Sequence, residues 1–139
     1  MIKISILSIG KTKEKWLEEA CSEYVKRLSY QVQFTFLWAK NDLQLIDWAV
    51  KESQVLCLDP SGQLLTSEKL ADKLELSWIE GGSKLTLVIG GPKGLPLALK
   101  KFPLLSLSPL TFTHQIARLV LMEQIYRAVE IKKGTKYHK

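Results

Sequence analysis

Residues 84–95 read KLTLVIGGPKGL, an apolar run of strand length stopped by paired glycines. So compact a run, bounded by turn residues, predicts a strand buried on both faces. Upstream, Thr66 or Ser67 can cap a helix that carries Leu70, Leu74, Trp78 and Ile79 and ends at Gly81 and Gly82. Before that helix lies a second compact run, QVLCLD (residues 54–59), closed by the turn sequence DPSG. A strand, a helix and a strand in succession predict a crossover to a parallel neighbour.

The same alternation extends to the N-terminus. Ile2, Ile4 and Ile6 alternate as in a strand that Gly10 ends. From Thr12 to Leu28 the apolar positions Trp16, Leu17, Ala20, Cys21, Tyr24, Val25 and Leu28 form one helical stripe. Val32, Phe34, Phe36 and Trp38 then alternate cleanly, and a short helix spans Asp42 to Lys51. The fold class is therefore α/β, a mostly parallel sheet with helices on both faces, in a single domain of residues 1–139. Open sheets of this class bind ligands at the carboxyl ends of their strands. The loops after Leu58, Ile89 and Leu105 are thus the places to look.

Composition narrows the function classes. Hydrophobic residues make up 46% and charged residues 24%, as in a globular protein with its own core. No apolar run approaches the ~20 residues of a membrane span, and the N-terminus lacks signal-peptide features, so a cytoplasmic location is expected. Cys21 and Cys57 belong to a helix and a strand pattern without CxxC or Cys/His clustering, so core-packing thiols and no metal are expected. Net charge is +6, and between His114 and Lys139 six basic residues stand against two acidic ones. Such clustering suits a polyanion such as RNA, or else a solvated helix face.

The glycine loop IGGPKGL, which precedes a short helix expected over Pro96 to Lys101, matches neither common phosphate-binding fingerprint. Its glycines serve a tight turn or the close approach of a ligand to bare backbone. Residues 104–115, LLSLSPLTFTHQ, mix apolar and hydroxyl side chains around Pro109. That composition suits a neutral, flat heterocycle, or simply a strand end leading to a helix capped by Thr113. From His114 to about Lys132 a helix is expected whose apolar residues cover more than one face, which implies self-association as well as core packing. Within it Glu123 and Arg127 are spaced to pair.

Taken together, LVIGGPKG (87–94), SLSPLTFTHQIARLVLMEQIYRAVEI (106–131) and the closing YHK (137–139) resemble the RlmH, or YbeA-like, family of SPOUT-class methyltransferases. The resemblance runs the length of the chain. It implies a C-terminal trefoil knot, a homodimer, and S-adenosylmethionine as methyl donor. It also implies a substrate: the N3 of a pseudouridine in large-subunit ribosomal RNA, within the assembled ribosome. By position in the family motifs, Leu58, Gly90, Leu107, Ser108, Pro109, Leu110, Thr111 and Phe112 would hold the cofactor. Lys93 stands where the family commonly has an acidic or neutral residue, and the segment from Trp38 to Gln54 is shorter than in many relatives.

A sulfonium methyl needs alignment and a deprotonated acceptor more than a metal. His138, whose imidazole nitrogen can take up a proton, is the candidate proton acceptor, with Tyr137 stacking on or bonding to the base. Arg118 and Arg127 are candidates for substrate phosphates or carbonyls, or for salt bridges in the core or dimer. His114, beside a helix start, reads as structural. Gly134 would turn the tail toward the cofactor, in a site shared across the dimer. Two rivals remain: a non-catalytic RNA-binding or ribosome-assembly factor, and a SPOUT enzyme acting on transfer RNA.

Overall fold

The computed structural model describes residues 1–11 and 13–139; the expected helix start at Thr12 lies outside the described residues. In chain order the elements are β1 (Ile2–Ile9), α1 (Lys15–Arg27), β2 (Val32–Ala39), α2 (Asp42–Val50), β3 (Val55–Leu64), α3 (Ser67–Glu80), β4 (Lys84–Ile89), a 3-10 turn at Leu97–Leu99, β5 (Leu104–Ser106) and α4 (His114–Lys133). The five strands pair in the order β2-β1-β4-β3-β5, and every pairing is parallel. The run 84–89 is a central strand, hydrogen-bonded to β1 and β3.

Alternating residues of the strands feed two cores. Ile4, Ile6, Leu56, Leu87 and Ile89 pack with residues of α1, α3 and α4 on one face of the sheet. Leu7, Cys57 and Val88 pack with Leu45 and Ala49 of α2 and with Leu99 on the other. Both cysteines are free and buried, and burial pushes the Cys57 thiol up to about 12. Thr66 caps α3 and Thr113 caps α4, each hydroxyl accepting from a backbone N–H three residues on.

Three local readings need correction. Trp16 and Ile79 are 57% and 64% exposed, because α1 and α3 bury narrower stripes than their apolar content suggests. The sequence DPSG does not end β3. Leu58 and Gln63 both pair with Leu105, so the residues between them form an excursion after which the strand resumes. The Asp59 carboxylate stabilises it by accepting from Ser61 N at 3.0 Å, and a Cβ on Gly62 would lie 2.6 Å from the β5 backbone. Finally, the helical turn expected over 96–101 shrinks to Leu97–Leu99.

Candidate active site

The three loops singled out by topology meet in one cleft of about 580 Å³ at the carboxyl ends of β3, β4 and β5. That is within the ~300–1,000 Å³ range of small-molecule sites. Leu58, Gly90, Leu107, Ser108, Leu110, Thr111 and Phe112 all line it; Pro109 does not. Ile89, Gly91, Leu95, Thr113, His114 and Ala117 also belong to the wall, as do Asp59 and Pro60 at the start of the β3 excursion.

Backbone requirements explain the glycine loop. Gly94 N donates to Gly91 O at 2.9 Å, closing a tight turn in which Gly94 has φ 87. A Cβ on Gly90 would lie 2.5 Å from the Gly94 carbonyl, so the loop closes only around a bare backbone there. Lys93 sits exposed on that turn and is not part of the cleft wall. The opposite wall is held by its own serines. Ser106 Oγ donates to Ser108 O at 3.1 Å, and Ser108 Oγ accepts from Leu110 N at 2.9 Å.

Electrostatically the wall is nearly neutral. Among the described residues no lysine or arginine lines it, and its titratable members are Asp59 and His114. Burial, reinforced by the nearby Arg118 charge, holds His114 below the usual imidazole range. At neutral pH it is therefore uncharged.

Arg118 is 1% exposed and stands behind the cleft. Its Nη2 donates to Ser8 Oγ at 2.9 Å and to Gly10 O at 3.3 Å, and its guanidinium lies 4.2 Å from the Trp38 ring centroid. These contacts fix the first turns of α4 at the carboxyl ends of β1 and β2. Gly10, with φ 82, packs so closely that a Cβ would lie 3.3 Å from His114 Nε2. Residues 107–113 therefore cross from β5, at one sheet edge, over the strand ends to β1.

The tail folds back on its own chain. Gly134, left-handed with φ 72, ends α4 and donates to Ile131 O at 3.0 Å. The Tyr137 ring meets Tyr126 edge-on at 4.7 Å, and its hydroxyl donates to Glu123 Oε2 at 2.7 Å. Arg127 Nη2 donates to the same oxygen at 2.9 Å, so the pair expected from spacing forms. Arg127 Nη1 lies 2.9 Å from His138 Nδ1, and His138 Nε2 meets a carboxylate oxygen of Glu68. Because guanidinium only donates, Nδ1 accepts and Nε2 carries the proton toward Glu68.

Burial tends to raise Glu123, but hydrogen bonds from Arg127 and Tyr137 outweigh it and hold the carboxyl below its usual range. Burial and the Glu123 bond push the Tyr137 phenol up to about 12, so it stays a donor. Tyr137, His138, Arg118 and Arg127 are not among the residues that line the cleft of this chain. Gly134 thus turns the tail onto α3 and α4 of its own chain rather than into its own cleft. Spacing gave no sign of Glu68, which is 70 residues from His138 in sequence.

Among the described residues no group of three or more His, Cys, Asp or Glu could hold a metal ion, and no helix is long and apolar enough to cross a membrane.

Residues 2–138 match the family described as "Predicted SPOUT methyltransferase". A protein of Protochlamydia amoebophila named ribosomal RNA large subunit methyltransferase H is 60% identical over 140 residues, covering 100% of both chains. One of the same name from Ruminiclostridium cellulolyticum is 39% identical over 159 residues, covering 99% of this chain and 100% of its own. Among solved structures, one described as a Legionella pneumophila methyltransferase in complex with the bound cofactor SAM aligns with a TM-score of 0.51 at 12% identity, covering 92% of this chain and 66% of its own. Another, concerned with 2-OH methylation of C/U34 on tRNA, gives 0.54 at 11% identity, covering 96% and 99%. These two distant likenesses speak for the fold, and the close relatives speak for the family. On a match that spans nearly the whole chain, and on relatives that align end to end, the chain belongs to the SPOUT methyltransferase family, in its ribosomal RNA large subunit methyltransferase H branch.

Proposed function

We propose that the protein transfers a methyl group from S-adenosylmethionine to the N3 of a pseudouridine in large-subunit ribosomal RNA, acting as a cytoplasmic homodimer on the assembled ribosome. The observation that carries this reading is the cleft itself, an apolar and hydroxyl-lined space with no lysine or arginine among the described residues of its wall. A sulfonium there would meet no like charge, and Leu58, Leu107 and Leu110 of the wall would offer an apolar surface to a neutral adenine ring. The relatives' name supports the substrate class. The crossing of residues 107–113 over the strand ends is in keeping with the family's knot.

The donor supplies a methyl group already activated on sulfur. What the chain must do is align the reactants, exclude water and remove one proton. The loops at Gly90 and at residues 107–112 would hold the donor from two sides, and positioning of this kind is worth up to about 7–11 kcal/mol. Arg118 keeps those walls in register by tying α4 to β1. His138 Nδ1 would take the proton that the acceptor imide must lose, and the Tyr137 hydroxyl, on leaving Glu123, would donate a hydrogen bond to the base. For that step His138 must exchange Arg127 for substrate. Arg127 Nη1, released at the same moment while Nη2 stays on Glu123, is available to a substrate phosphate or carbonyl. Since the tail lies outside the cleft of its own chain, it would complete the site of a second copy.

Purified protein incubated with methyl-labelled S-adenosylmethionine and ribosomes from cells lacking the gene tests this. Label on a large-subunit pseudouridine is expected; label confined to transfer RNA, or none at all, contradicts it.

A further inference from the structure

The sequence places its positive excess at the C-terminal end, but folding consumes much of it. Lys132 pairs with Asp72 and Glu75, Lys133 approaches Glu130, Arg127 is held by Glu123, and Arg118 is buried. Within that group, Lys136 and Lys139 make no ion pair with the described residues.

A second set of cations, scattered in sequence, is gathered by topology. Ile9 is registered with Ala39, and Ser8 with Ile89, so the residues that follow β1, β2 and β4 emerge together at the carboxyl end of the sheet. Those residues include Lys11, Lys13, Lys40 and Lys93, all exposed and none in an ion pair among the described residues. Gly91 packs on Ile9, so the turn bearing Lys93 stands beside the end of β1. The exposed carboxylates at this end include Glu14, Asp42 and Glu18 in the first turn of α1, while Asp59 is bound by Ser61 and Glu68 by His138. The N-termini of α1, α2 and α4 point the same way and add positive potential.

We propose that Lys11, Lys13, Lys40 and Lys93 form a phosphate-binding rim beside the cleft that docks the substrate RNA backbone, and that the tail lysines contribute little. The proposal rests on RNA being the substrate. It also accounts for the position of Lys93, which is excluded from the cleft wall, spares the sulfonium and faces the nucleic acid.

The test is fluorescence anisotropy of a short labelled single-stranded RNA against salt, using wild-type protein, the quadruple variant K11Q/K13Q/K40Q/K93Q and the tail variant K136Q/K139Q. Single-stranded contacts contribute a slope of about −0.7 each in log affinity against log salt, so four contacts amount to about a 50-fold loss between 50 and 200 mM. The quadruple variant is expected to lose that component and the tail variant to keep it. A quadruple variant with the wild-type slope, or a tail variant that loses more than the quadruple, overturns the rim. S-adenosylmethionine binding measured in parallel reports folding of each variant. If the rim slope is present but ribosomes accept no methyl group, the methyltransferase reading fails and the rim stands. If transfer occurs and the quadruple variant binds RNA like wild type, the rim fails alone.

Discussion

Arg118 illustrates how one residue type leaves its role open until folding assigns it. As a basic residue on an apolar helix it fits substrate phosphate or a core contact equally, and only the β1–α4 contact selects burial against Ser8, Gly10 and Trp38. His114 follows from it. Burial, and then the Arg118 charge, lower its pKa, so the unfolded chain binds the proton more readily than the folded one. Stability should therefore fall as pH drops below the unfolded value of about 6.5, and His114→Gln should flatten that decline in denaturant titrations between pH 7.5 and 5.5. The tail supplies a second residue-level prediction. In Glu123→Gln the Tyr137 phenol loses a neighbouring anion, so its pKa should drop from about 12 toward the ordinary value. Phenolate absorbance, referenced to Tyr137→Phe, reads the shift directly. With the tail less firmly seated, methyl transfer should slow by about tenfold.

Elements were largely legible because their periods are strong: 84–89 is a central strand, and the alternation from Val32 to Trp38 is β2. DPSG misled because a turn sequence reports a local bend, whereas β3 resumes by pairing with a strand about 40 residues later. The cleft loops were legible for two reasons: parallel topology fixes which end of the sheet gathers them, and the family motifs name the residues. The tail was not. Its partners Glu68 and Glu123 are brought to it by tertiary packing, which spacing cannot reveal. Deleting Tyr137–Lys139 removes one half-exposed ion contact, two side-chain hydrogen bonds and the contacts of the Tyr137 ring with Tyr126 and Arg127, so unfolding stability should drop by only about 2 kcal/mol. Methyl transfer, in contrast, should vanish while S-adenosylmethionine binding persists. Calorimetry and a label-transfer assay on the same preparation separate the two.

At the scale of the whole molecule, the sequence places positive charge in the last quarter of the chain, whereas the fold neutralises much of it and exposes another set beside the cleft. Charge counting cannot anticipate this, because ion pairing and strand register are both tertiary. The separation of tail and cleft has a consequence for assembly. A chain lacking residues 137–139 should regain activity when co-folded with a Gly90→Val chain. The valine would collide with the Gly94 backbone and spoil that chain's cleft while leaving its tail to serve the partner. Recovery of about a quarter of wild-type turnover in a random mixture is expected from one functional site in half of the dimers; no recovery would place tail and cleft in the same chain. The most direct test of the central claim is nucleoside mass spectrometry of large-subunit ribosomal RNA from cells with and without the gene. A methylated pseudouridine that disappears on deletion and returns with the wild-type gene, but not with the tail-deleted one, is the predicted result; an identical nucleoside profile in both strains would contradict it.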